Sequence, residues 1–159
     1  MVILPAAYMP SVEYVARLLR EECIIDLGEN YIKRSERNRA SILSAYKSSP
    51  YFDHYAHLLE PFYKREWRFL VDYNIEYTQT LLRLLGARVE LPLSESYVTA
   101  GEGDIDLRPK QKEGSTFVAE PYFQVFSDRM PFAPNLSVLD LLLCEGPAAI
   151  DAVLKRCQL

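Results

Sequence analysis

The stretch FAPNLSVLDLLLCEGP, residues 132–147, constrains this chain more than any other, because it holds a fixed approach, a helix start and a helix stop. Pro134 sets the backbone ahead of Asn135. Ser137 is a helix N-cap, Asp140 stands three residues on as the partner in a capping box, and Gly146 followed by Pro147 halts the helix. One cap suffices for an ordinary helix. Asn135 and Asp140 are therefore either parts of a well-made structural turn or side chains held for a ligand.

A chain of 159 residues with 49% apolar and 25% charged residues can bury a real core and reads as one domain, residues 1–159. Its net charge of -4 argues against bulk attraction to nucleic acid or an anionic membrane, leaving small molecules or proteins as partners. No apolar run approaches the roughly twenty residues that span a bilayer, and the N-terminus lacks a secretory pattern. The expectation is a cytoplasmic protein with no membrane span. Cys23, Cys144 and Cys157 are odd in number and embedded in apolar sequence, which favours buried free thiols over disulfides or metal ligands.

The opening VILPAAYMP reads as a short strand broken by Pro5 and Pro10, after which Val12, Val15, Ala16 and Leu19 recur at helical spacing. Ile24, Ile25 and Leu27 predict a second strand ending at Gly28, and this order opens a parallel pair. Residues 41–85 read as helical in two or more pieces, interrupted by Pro50 and Pro61, the last piece ended by Gly86. A strand is predicted over 88–93 and another over 117–126, with an exposed, mobile connection over 94–114 between them. A last helix should begin at Pro147. The expected fold is mixed α/β: a short, at least partly parallel sheet flanked by helices, with a helical middle segment.

Lys33, Arg34, Arg37 and Arg39 surround one acid, Glu36, in a loop that can receive a phosphate or carboxylate, or can simply be a solvated basic loop. Arg108, Lys110 and Lys112 form a second basic patch. Asn38 beside Arg39, and Gln124 between Tyr122 and Phe126, place neutral amides against charge and aromatic surface. On a strand those three would share a face, so Gln124 is a satisfied amide or a pocket group. His54 and His57 share a helix face but belong to no metal-ligand pattern, so no metal site is expected. The glycines at 101 and 103 form only a fragment of a dinucleotide motif, and no serine, histidine and acid triad is assignable.

LPAAYMPSVEY (4–14), NYIKRSERNR (30–39), YFQVF (122–126) and PFAPNLSVLDLLLCEGP (131–147) together resemble the WbqC-like protein family. The Leu85-Gly86 helix end and Ser94-Glu95 follow in the same order. The resemblance marks Pro5, Tyr8, Pro10, Tyr14, Tyr31, Lys33, Asn38, Arg39, Tyr122, Gln124, Phe126, Pro134, Asn135, Ser137 and Asp140. One departure is that Ala40 runs directly into Ser41, where similar sequences continue for several dozen residues. The junction is a deletion or a closed-up gap.

The resemblance implies a bacterial protein of O-antigen and surface-polysaccharide biosynthesis, with a transferase role for a glycine-type aminoacyl or related small group. The substrate expected is an anionic small molecule such as a nucleotide sugar. Lys33, Arg39 and Arg108 would hold its anionic groups, Gln124 and Asn135 would orient the acceptor, and Asp140 would be the general base. Tyr8, Tyr31, Asn38 and Tyr122 complete the substrate-binding set. The alternative is a non-catalytic sugar-nucleotide-binding or scaffold protein in the same process. The sequence names no cofactor and no oligomeric state.

Overall fold

The computed structural model describes residues 1–27, 44–109 and 115–159. Strand β1, Val2–Pro5, is the middle of a three-stranded sheet because VILP is apolar on both faces, with Ile3 and Leu4 fully buried. Helix α1, Val12–Arg20, follows it, and β2, Cys23–Asp26, returns parallel to β1 with Val2 opposite Cys23 and Pro5 opposite Asp26. On the other side of β1 lies β3, Ile105–Asp106, also parallel. The fold is thus mixed α/β with a small parallel sheet, as expected.

Helices α2, Phe52–Lys64, and α3, Leu70–Leu85, form the middle segment. Gly86 closes α3 at φ 86°, a left-handed C-cap that a glycine adopts without steric cost. Helix α4, Val138–Glu145, is apolar all round and correspondingly buried all round: Val138, Leu139, Leu141, Leu142 and Leu143 are fully enclosed. Each of those leucines contributes about 2 kcal/mol of burial. Gly146 ends the helix where a Cβ would stand 2.6 Å from the Tyr51 ring, so the close approach itself requires glycine.

The structure departs from the sequence reading at several points. Pro61 lies inside α2 rather than breaking it; the amide it lacks would serve the turn at His57, which is exposed. No strand forms over 88–93, where Leu93 makes only a single bridge to Ile25, because Pro92 has no amide to extend a ladder. The 117–126 segment likewise makes one bridge, Val118 to Gln158, and Pro121 bars a longer pairing. The segment expected as an exposed connection contains β3, whose two residues are too few to show periodicity. After Pro147 comes no α-helix but a 3-10 turn, Gly146–Ala148, and a π-helical turn, Ile150–Leu154. Among the described residues no helix is long and apolar enough to cross a membrane.

Candidate functional site

A cleft of about 630 Å³ opens at the carboxyl end of β1 and β3, the end at which parallel sheets present ligand sites. Its walls include Tyr8, Met9, Glu13, Ser115, Phe117 and Asn135. The loop from β1 to α1 is tied down from beneath. Tyr14 donates its hydroxyl to the Pro5 carbonyl at 3.1 Å, Asn74 Nδ2 donates to the Ala6 carbonyl at 2.9 Å, and the Val138 amide donates to the Pro10 carbonyl at 2.8 Å. Among the described residues the two non-glycine residues at positive φ are Met9 at 149° and Asn135 at 61°, and both line this cleft. Such backbone persists only where its surroundings over-determine it.

Asn135 shows how. Its Oδ1 accepts from the Glu13 amide at 2.8 Å, and its Nδ2 donates to Glu13 Oε2 at 3.1 Å. Glu13 Oε1 accepts from Arg17 Nε at 3.1 Å and from the Ser115 hydroxyl, while Arg17 Nη1 reaches Glu21 Oε2 at 2.9 Å. Glu13 is only 8% exposed, so a guanidinium and two neutral donors replace the water it loses. The first-turn amides of α1 are all used: Val12 bonds Leu136 O, Glu13 bonds Asn135 Oδ1 and Tyr14 bonds Ser11 Oγ. That helix start therefore has no amide left for an anion.

Asp140 belongs to a second, enclosed network. It is 2% exposed and accepts the Tyr122 hydroxyl at 2.7 Å, with the Tyr46 phenol and the Gln124 amide near enough to favour its charged form. Burial pushes its carboxyl above the ordinary range, against the opposing pull of those donors, and the Tyr122 and Tyr46 phenols rise with it, chiefly through their own burial. Asp140 does not complete a capping box; Ser137 Oγ accepts from Leu139 N at 3.2 Å while the Asp140 carboxylate turns to the phenols. Gln124 clamps Ala133, donating to its carbonyl at 2.9 Å and accepting from its amide at 3.0 Å. Phe126 instead points out and is exposed, so the expected single face of Tyr122, Gln124 and Phe126 does not form.

Arg108 is engaged inside the protein rather than presented to a ligand. Its Nη1 donates to Asp26 Oδ2 at 2.6 Å and to the Val98 carbonyl at 2.8 Å, its Nε donates to Asp106 Oδ1 at 2.9 Å, and the guanidinium lies 4.8 Å above the Tyr97 ring. The Arg108 hydrogen bonds hold the Asp106 carboxyl below its usual value. Two carboxylates at the ends of the outer strands β2 and β3 thus share one cation, and Arg108 does not line the cleft.

Of the candidate residues, Tyr8 and Asn135 meet at the cleft, Tyr122, Gln124 and Asp140 meet in the enclosed network, and Arg108 sits in the ion cluster. Tyr31, Lys33, Asn38 and Arg39 lie outside the described residues, as do Lys110, Lys112 and the Ala40-Ser41 junction. Glu13 and Asn74 escaped sequence reasoning. Glu13 looks like an ordinary first-turn acid, and Asn74 interrupts an aromatic helix face between Tyr73 and Tyr77, which was the one available signal. His54 and His57 are exposed, and no group of three metal-ligating side chains occurs among the described residues. Cys23, Cys144 and Cys157 are free, with burial pushing the Cys23 thiol up to about 11 and the Cys144 thiol to about 12.

Fold and cleft define a mixed α/β protein with a ligand-sized hollow at the carboxyl edge of a parallel sheet. The chain belongs to the WbqC-like protein family, which it matches over residues 20–119. Comparison with curated proteins and with solved structures finds no match.

Proposed function

We propose that this protein is a transferase that moves a glycine-type aminoacyl or related small group onto an activated sugar in bacterial surface-polysaccharide biosynthesis. The observation that carries the reading is the cleft at the carboxyl edge of the sheet, walled by an aromatic ring, a tethered amide and two strained residues. Tyr8 and Asn135 contact the substrate there. The chain leaves β2 at Leu27 on the same edge, which supports Tyr31, Lys33, Asn38 and Arg39 as the groups that receive its anionic part. Asp140 lies outside the cleft and acts as a positioning residue: it accepts the Tyr122 hydroxyl, while Gln124 holds the Ala133 backbone ahead of Asn135. Since Arg108 is matched by Asp26 and Asp106, the side-chain part of the anion-holding role rests on Lys33 and Arg39.

The test is turnover of nucleotide sugars with aminoacyl and acyl donors, screened first by thermal shift, since a ligand that binds the folded state raises its apparent stability. Arg39→Ala, Gln124→Ala and Asp140→Asn should each abolish product while the far-ultraviolet spectrum stays native. Full activity in all three variants overturns the assignment. A scaffold role is favoured by one observation, the exposure of Phe123 at 54% and Met130 at 61% on the loop before Phe132. In that case a nucleotide sugar raises the melting temperature and no product forms with any donor.

A further inference from the structure

We infer that the loop joining β1 to α1 is the subsite for a phosphorylated ring, with the ring lying on Tyr8 and the phosphate on the backbone amides of Ala7, Tyr8 and Met9. This deepens the reading above by naming which part of an activated sugar the cleft grips, and it rests on that reading.

Three observations converge on it. Tyr8 is the outer member of an aromatic stack: its ring lies 5.5 Å from Tyr73 at 27°, and Tyr73 lies 5.2 Å from Tyr77 at 12°. The inner rings are buried while Tyr8 is 36% exposed on the cleft wall, so the stack ends in a platform of the kind on which sugars and bases lie. The second observation is the hydrogen bonding of the loop. The carbonyls of Pro5, Ala6 and Pro10 are each engaged by Tyr14, Asn74 and Val138, whereas the amides of Ala7, Tyr8 and Met9 meet no acceptor among the described residues. The pull of Asn74 on the Ala6 carbonyl turns the Ala7 N–H of the same peptide plane the opposite way, and successive unpaired amides are the donors that an anion-binding loop uses.

The third observation is what the protein bears to hold that loop. Met9 sits at φ 149°, and Asn74, buried within α3, leaves its Oδ1 without a partner among the described residues in order to aim Nδ2 at the Ala6 carbonyl. Tyr73 and Asn74 are adjacent on α3, so one helix turn both backs the platform and pulls the carbonyl aside. The α1 first-turn amides are occupied and do not compete with the loop for the phosphate. Glu13, the acid on the cleft wall, shares Arg17 with Glu21 and spends its two oxygens on Arg17, Ser115 and Asn135.

Titration of the isotopically labelled protein with uridine monophosphate and with glucose-1-phosphate tests the assignment. Uridine, glucose and inorganic phosphate serve as controls. At least one phosphorylated ring should shift the amide resonances of Ala7, Tyr8 and Met9, and should bind roughly tenfold or more tightly than its unphosphorylated counterpart. Tyr8→Ala should weaken that binding about tenfold while Tyr8→Phe stays within about twofold, since the face of the ring does the stacking. Which compound binds distinguishes a base from a sugar on the platform. Inorganic phosphate binding as tightly as either ring removes the platform from the proposal. A bound ligand that leaves those amides unshifted, or that ignores Tyr8→Ala, overturns the subsite yet leaves the transferase reading standing, and absence of binding by every compound overturns both.

Discussion

Helices α1 and α4 begin alike and treat their acids in opposite ways. Each starts at a serine cap, Ser11 or Ser137, and each buries a first-turn carboxyl, Glu13 or Asp140. The two starts are laced together, Val12 donating to the Leu136 carbonyl at 2.9 Å and Val138 to the Pro10 carbonyl at 2.8 Å. Glu13 is matched by the Arg17 guanidinium and borders the cleft. Asp140 is met by phenols and an amide, and its carboxyl is pushed up by burial. A buried acid with a cation remains a fixed charge that can shape an opening, whereas one held only by neutral donors is drawn toward its protonated form.

The strongest way to break this contrast is Arg17→Leu, which leaves Glu13 and Glu21 without their guanidinium. It should cost about 3 kcal/mol by urea unfolding, and adding Glu13→Gln should recover part of it. A loss under about 1 kcal/mol would mean that Glu13 does not depend on Arg17. Next comes Asn135→Ala, which removes an N-cap acceptor and strains a left-handed residue, at about 2 kcal/mol; Asn135→Gly, which keeps the backbone relaxed, should cost about half as much. Tyr122→Phe should cost about 1 to 2 kcal/mol and raise the Asp140 carboxyl further, since the phenol donor opposes the effect of burial.

Asp140→Asn sharpens the contrast through pH. A carboxyl raised in the folded state contributes stability that is complete below its unfolded value of about 4 and is lost as pH rises through the raised value. Thermal melts from about pH 4 to about pH 8 should therefore show the wild type losing ground to the asparagine variant as pH rises; parallel curves would contradict the shift. Smallest of all, Ser11→Ala and Ser137→Ala should each cost about 1 kcal/mol, because the two caps are alike and only the acids differ.

The periodic and punctuated parts of this fold were legible in the sequence. Val12, Val15 and Ala16 announced α1, Gly86 marked the end of α3, and Ser137 with Gly146 bracketed α4. What failed was pairing at the margins. Pro92 and Pro121 silenced ladders that apolar alternation suggested, and β3 was too short to carry a pattern. The site was legible only in pieces, since nothing local distinguishes Tyr8 and Asn135, which share the cleft, from Gln124 and Asp140, which do not. Glu13 acquires its place from contacts with Ser115 and Asn135, and a side chain fixed by such distant partners leaves no trace in its own neighbourhood.

The lacing of α1 to the turn before α4 has a consequence for how the molecule is made. The amide of Glu13 finds its acceptor 122 positions along the chain, so synthesis delivers the first helix long before the groups that finish its start. The Asn135 wall of the hollow therefore assembles long after the first helix has been extruded. A nascent chain halted ahead of Phe132 can pair its first two strands but lacks that wall, and competence to grip a ligand arrives only when the segment from Phe132 to Pro147 docks.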